Sequence, residues 1–176
     1  MKESIVIYGA GGHASVLSDL VRSNGGEVLT LFTDQEGQAS AVQYDTSLYP
    51  EASLVIGIGN NQARERLAAS VAHSIASLFH ADASIAANVA IGEGTVVLAR
   101  AVIQSHCSIG KHVIINAGAV IDHDAVIGDF VHVAANAYVG SGAQIGRGAS
   151  IGAGAIIMRN AVIQAGSVIP PLTVVA

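Results

Sequence analysis

The sequence predicts a small parallel α/β domain over residues 1–78, followed by a parallel β-helix of hexapeptide repeats over residues 79–176. Three observations carry this reading. The chain opens with a short apolar strand, a glycine turn and a helical apolar pattern. At Phe79 the hydrophobic period changes to six. From there fifteen hexads run in register without an insertion, to residue 168.

In the first part, Ser4–Tyr8 is a continuous apolar strand and Gly9-Ala10-Gly11-Gly12-His13-Ala14 is a glycine turn. Val16, Leu17, Leu20 and Val21 recur at helical spacing over residues 14–23, and Asn24-Gly25-Gly26 stops that helix. Residues 27–33 read as a second strand ending before Asp34, and 53–58 as a third, followed by Gly59-Asn60-Asn61. Residues 62–72 read as a second helix and 35–52 as a polar loop. The expected order is β-α-β-β-α-β, a small parallel sheet with helices.

In the second part, position one of the fifteen hexads runs from Phe79, Ile85 and Ile91 to Ile157 and Ile163, and fourteen of the fifteen are Ile or Val. Position five is small or β-branched throughout, as in Ala101, Cys107, Val113 and Ala119. A β-branched residue every six places fills a narrow three-sided coil, and a small residue four places later lets the chain turn inward. Three hexads make one turn, and turns stack through parallel β hydrogen bonds about 4.8 Å apart. The frequent Gly at position two is expected to relieve tight backbone geometry.

Composition agrees with a repeat. Of 176 residues 51% are hydrophobic, yet aromatics are only 4%, Trp is absent and Gly numbers 20. The net charge is −5 and the eight Lys and Arg are scattered, which argues against nucleic acid as a partner. No apolar run is long enough for a membrane span. Met1-Lys2-Glu3-Ser4 leads straight into the first strand without a signal-peptide pattern, so a cytoplasmic protein is expected. The single cysteine, Cys107, excludes an intrachain disulfide and takes an inward hexad position, which makes it a core residue.

The glycine turn fits G-x-G-x-x-A between a strand and a helix, where backbone N–H groups can hold phosphate. Asp34 stands where an acidic residue can accept from a ribose hydroxyl. Alone, this suggests a dinucleotide. A Rossmann-like domain of about 78 residues is half the usual size, and a mononucleotide or sugar nucleotide fits it better. The glycines can also serve only to make a tight turn.

Seven histidines are sorted by hexad position. His123, at position three in Ile121-Asp122-His123-Asp124, points outward between two carboxylates. A carboxylate on one ring nitrogen fixes the tautomer and raises the basicity of the other, which suits a general base in acyl transfer. Asp122 points the other way in an extended segment. His132 lies nine residues on, half a turn, and therefore on a different face of the coil from His123. Asn116, at position two, either bonds a substrate or decorates a face. His106 and His112, both at position four, are expected at the surface. His73 and His80 fall at the junction of the two parts, where no chemical role is expected.

The hexad run resembles the hexapeptide-repeat acyltransferases, which form left-handed β-helices and assemble as trimers. Together with Ile5-Val-Ile-Tyr-Gly-Ala-Gly-Gly-His-Ala14, it resembles the sugar O- and N-acetyltransferases related to sialic acid O-acetyltransferase, among them the bacterial UDP-4-amino-sugar N-acetyltransferases of glycan biosynthesis. The resemblance implies acetyl-CoA as acyl donor, a nucleotide-linked amino sugar as acceptor, a homotrimer and no metal. It implies His123 as catalytic base with Asp124 as its helper, and His132 against acetyl-CoA. Gly11, Gly12 and His13 would line the sugar-nucleotide pocket, with Asp34 and Gly59 beside them. Two departures stand out. Residues 34–53 are fewer than in such proteins, and Pro170–Ala176 replaces their Gly-x-Pro-Ala segment and cap.

Sialic acid or sugar O-acetylation would use the same base. A gamma-type zinc hydratase shares the coil but needs three histidines, two of them five residues apart. Here the spacings are 6, 11 and 9 across His106, His112, His123 and His132. A scaffold that kept the coil and lost the chemistry is the remaining alternative.

Overall fold

The computed structural model describes residues 4–34 and 40–176. It divides into two compact units, Met1–Leu78 and Phe79–Ala176. In the first, strands β1 (Ser4–Tyr8), β2 (Glu27–Phe32) and β3 (Ser53–Ile56) form a parallel sheet in the order β2-β1-β3. Every residue of β1 from Ile5 on is buried, as a central strand covered on both faces requires. Val6 and Tyr8 pack with Phe32, Leu54 and Ile56 on one side of the sheet.

Helix α1 (Gly12–Ser23) buries Ala14, Leu17, Ser18, Leu20 and Val21, one stripe at helical spacing. It ends in a Schellman motif: Gly26 N–H donates to Val21 C=O and Gly25 N–H to Arg22 C=O, each at 2.9 Å. Gly25 supplies the left-handed residue that motif needs, with φ 79°. Helix α2 (Asn61–Ala68) is capped by Asn60, whose Oδ1 accepts from Ala63 N–H at 2.9 Å. It stops four residues before the expected end. The last strand of the expected order is reduced to one bridge, Leu54 to Ile75. Of the expected loop 35–52, residues 35–39 lie outside those described. The remainder is tied down by His73, whose Nε2 donates to Leu48 C=O and whose Nδ1 accepts from Tyr44 Oη, both at 3.0 Å. His73 is thus a buried structural residue.

The second unit is a parallel β-helix of two-residue strands, from Leu78–Phe79 at its start to Val174–Val175. They form three parallel sheets, in which every partner is 18 residues away: Ile115 pairs Val133, Ile121 pairs Val139 and Ile127 pairs Ile145. Position one, from Val97 to Ile163, and position five, from Ala101 to Ala161, make one continuous buried core. The coil also continues beyond the fifteen expected hexads. Ile169 and Val175 take the next two inward positions, so the Pro170–Ala176 tail belongs to the coil.

Two kinds of glycine shape the corners, and they differ from the expectation. The left-handed conformation falls at position four, not position two. From Gly94 to Leu172 every position-four residue has φ between 52° and 72°, and it is glycine at only six of the fourteen. The glycines at position two are required by the approach of the next coil. A Cβ on Gly146 would lie 2.4 Å from the backbone nitrogen of Ala165, and one on Gly152 2.4 Å from that of Pro171. Position-four glycines often sit beneath a larger residue one coil on. A Cβ on Gly94 would strike the His112 ring, and one on Gly142 the Asn160 amide.

His112 shows the consequence. It was expected at the surface, but it is buried and its ring stacks on Phe130 at 5.0 Å and 8°. Both are position-four residues one turn apart, so their side chains lie over one another along a corner. His106, at the same hexad position, is exposed and bonds to Asn88.

Gly146→Ala is expected to lose about 3 kcal/mol of stability, because a backbone atom must move to admit the methyl group. Gly148→Ala has the left-handed φ but open space around its Cβ, and should lose only about 1–2 kcal/mol. Urea unfolding of the two variants measures the difference.

Candidate active site

Each unit carries one group of the residues singled out above. In the first, a cleft of about 690 Å³ opens where β1, β2 and β3 end. That is the edge where open parallel sheets bind ligands. Gly11, Gly12, His13, Asp34 and Gly59 all line it, joined by Tyr8, Asn60 and Arg66.

The glycines of this cleft divide into two classes. Gly9 has φ 135°, and a Cβ there would lie 2.7 Å from Gly57 C=O. A Cβ on Gly57 would meet Ile7 at 2.8 Å and Ala14 at 3.0 Å. These two hold the turn and the helix against the strands. Gly11, Gly12 and Gly59 have ordinary backbone angles, and an added Cβ at any of them meets nothing within 4 Å. Neither conformation nor internal packing explains them. Open space flanked by backbone N–H groups at two helix starts can cradle an anionic ligand.

Tyr8 and Asp34 form the polar wall. Burial, and then the hydrogen bond to Asp34, push the Tyr8 hydroxyl above its ordinary range, so it stays protonated and donates to that carboxylate. Arg64 was not foreseen. It is 1% exposed, and burial pulls its guanidinium down to about 10, still charged at neutral pH. It donates to the carbonyls of Ile58 and Gly59 and to Asn61 Oδ1, which pins the loop carrying Gly59 and Asn60. Nothing in the hydrophobic pattern marks it, since a buried arginine breaks that pattern.

In the second unit the candidate site is the corner Asp122-His123-Asp124. His123 Nδ1 lies 2.7 Å from Asp124 Oδ2, and both side chains are more than half exposed. A carboxylate at that distance accepts an N–H, so in the neutral ring it favours the proton on Nδ1 and the lone pair on Nε2. Neighbouring coils hold the corner on both sides. Asp124 N–H donates to Ser105 C=O at 3.1 Å, and Gly142 N–H donates to His123 C=O at 3.0 Å. Asp122 bonds elsewhere than the ring: its Oδ1 accepts the His123 backbone N–H at 2.8 Å, and its Oδ2 accepts the Tyr138 hydroxyl at 2.7 Å. These bonds, Tyr138 first, hold the Asp122 carboxyl below the usual range.

His132 and Asn116, reached on separate grounds, meet in the structure: Asn116 Nδ2 is 3.3 Å from His132 Nε2. Asn116 Oδ1 also accepts from Ala117 N–H at 2.8 Å. His132 pairs in the sheet with Ile114 and Ser150, and His123 follows the strand Val120–Ile121 of another sheet. Cys107 is 2% exposed, and its thiol donates to Asp122 C=O at 3.0 Å; burial pushes its pKa up.

Residues 4–71 match the PglD N-terminal domain, and four overlapping stretches from 88 to 171 match the bacterial transferase hexapeptide (six repeats). A curated protein of Bacillus subtilis (strain 168), UDP-N-acetylbacillosamine N-acetyltransferase, is 32% identical over 111 residues, 54% of this chain. That match spans about half of the relative, 51%. Among solved structures, the acetyltransferase domain of PglB from Neisseria gonorrhoeae superposes with a TM-score of 0.89 at 28% identity, over 99% of this chain and 92% of that one. A variant of perosamine N-acetyltransferase from Caulobacter crescentus, in complex with CoA and GDP-perosamine, does so at 0.69 and 30% identity, over 97% and 92%.

Asp122 contributes stability that is complete above the unfolded carboxylate value of about 3.9 and is lost as pH falls through its lowered folded value. Asp122→Asn is therefore expected to unfold more readily than the parent protein at pH 7, with the gap closing as pH falls through that lowered value. Thermal unfolding across pH measures it.

Proposed function

This chain belongs to the hexapeptide-repeat sugar acetyltransferases that carry a PglD-type N-terminal domain, and on that footing we propose that it moves an acetyl group from acetyl-CoA to the amino group of a nucleotide-linked sugar. The observation that carries the reading is the His123–Asp124 pair, presented outward with its Nδ1 engaged at 2.7 Å. Asp124 holds the ring with Nε2 unprotonated. As the sugar nitrogen attacks the thioester carbonyl, Nε2 takes the proton that nitrogen gives up. The tetrahedral intermediate then collapses, the carbon–sulfur bond breaks, and the proton passes to the CoA sulfur. Atoms and charges balance without a covalent enzyme intermediate.

The cleft over Gly11, Gly12 and Gly59 takes the phosphates of the sugar nucleotide. His13 and Asp34 flank them, Asp34 toward a sugar hydroxyl. His132, with Asn116 on its ring, is assigned to acetyl-CoA. The working form is a homotrimer. The support for it is a row of outward apolar residues, Val120, Ile156 and Val174, on one sheet, with Val126 and Val162 exposed on the next. A second copy is the occupant that exposed apolar residues repeating along a face suit. Both proposed substrates are soluble metabolites, and the protein is assigned to the cytoplasm with them. Among the described residues no helix is long and apolar enough to cross a membrane.

Free-thiol release from acetyl-CoA, measured with a panel of nucleotide-linked 4-amino sugars and of sialic acids, tests the reading. Turnover on an amino sugar is expected, and His123→Ala should lower kcat about 10²–10⁴-fold. Turnover confined to hydroxyl acceptors would replace N- by O-acetylation, and a fully active His123→Ala would overturn the assigned base. Gly11→Val is expected to fold normally and to raise KM for the nucleotide sugar by about tenfold, with KM for acetyl-CoA unchanged.

A further inference from the structure

We propose that Tyr138 is a positioning residue for His123, acting through Asp122 from the next coil of the helix. The inference rests on the reading of His123 as base. Tyr138 lies in the outward row of its sheet, in register with Val120 on one side and Ile156 on the other, neither of which carries a hydroxyl. Its hydroxyl reaches back 16 residues to Asp122 Oδ2 at 2.7 Å. The other oxygen of the same carboxylate holds the His123 backbone N–H at 2.8 Å. One carboxylate thereby ties the peptide of His123 to a rigid strand, and the Cys107 thiol fixes the Asp122 carbonyl from inside the coil.

The bond also assigns the two acids flanking His123 to different tasks. With both oxygens of Asp122 engaged, Asp124 alone meets the imidazole. Without the tyrosine hydroxyl, Asp122 Oδ2 is released beside an exposed ring whose tautomer depends on a single carboxylate contact. The loss falls on the protonation geometry of Nε2 more than on substrate binding.

Two measurements test this. Long-range ¹H–¹⁵N spectra of histidine-labelled protein report which ring nitrogen of His123 carries the proton, with His123→Ala supplying the assignment. In the parent protein the neutral ring is expected to hold its proton on Nδ1. In Tyr138→Phe it should shift toward the Nε2–H form that free histidine prefers. In the thiol-release assay Tyr138→Phe should lower kcat about five- to tenfold, with both KM values within about twofold. Asp122→Asn should show a loss of its own, and the double variant should be no worse than Asp122→Asn alone. Unchanged His123 signals in Tyr138→Phe would overturn the proposal, as would losses that multiply in the double variant. An active His123→Ala overturns the base reading instead, and the spectra then judge the hold of Tyr138 on the ring by themselves.

Discussion

The second unit is organised by one backbone constraint: from Gly94 to Leu172, a left-handed residue at every sixth position. Such a residue costs about 1–2 kcal/mol wherever it is not glycine, and eight of the fourteen are not. Hydrogen bonds between coils and the continuous aliphatic core offset that cost. With the turn fixed at position four, each strand can be two residues long and each turn 18, and successive coils stack atom over atom. At the position-two glycines the next coil lies too close for a Cβ.

The same constraint brings a histidine and a carboxylate together at one corner. Neighbouring residues of an extended strand point to opposite faces and cannot bond side chain to side chain. Asp124 has φ 61°, and the turn brings its carboxylate round to the ring of His123, its immediate neighbour. Stacking also sorts charge. Glu93, Lys111, Asp129 and Arg147 occupy position three of one corner in four successive coils. Lys111 pairs with Glu93 at 2.9 Å, and Arg147 with Asp129 at 2.8 Å. These pairs are exposed and contribute little each, yet they keep like charges from facing one another along a column where side chains repeat every turn.

In the first unit glycine serves two ends. Gly9 and Gly57 allow strand, turn and helix to close on one another, and the protein fold needs them. Gly11, Gly12 and Gly59 leave space the fold does not use. The buried Arg64 holds the carbonyls of Ile58 and Gly59 inward, so the loop keeps its shape without a side chain of its own filling the cleft.

The sequence by itself determined the architecture and singled out the candidate site residues. A period of six over ninety residues admits one arrangement, and it fixes which residues face inward. The glycine turn between strand and helix marked the cleft, and the two acids beside His123 singled it out as the candidate base. What the period cannot convey is which outward side chains become neighbours across coils. That decided the burial of His112 against Phe130, the bond from Tyr138 to Asp122, the meeting of Asn116 with His132 and the role of Arg64. These contacts join side chains 16 to 18 residues apart, or a side chain to a backbone carbonyl, and depend on rotamers and on the reach of individual groups. Hydrophobic pattern records only the side of the chain that leaves water, so these contacts were settled by tertiary structure.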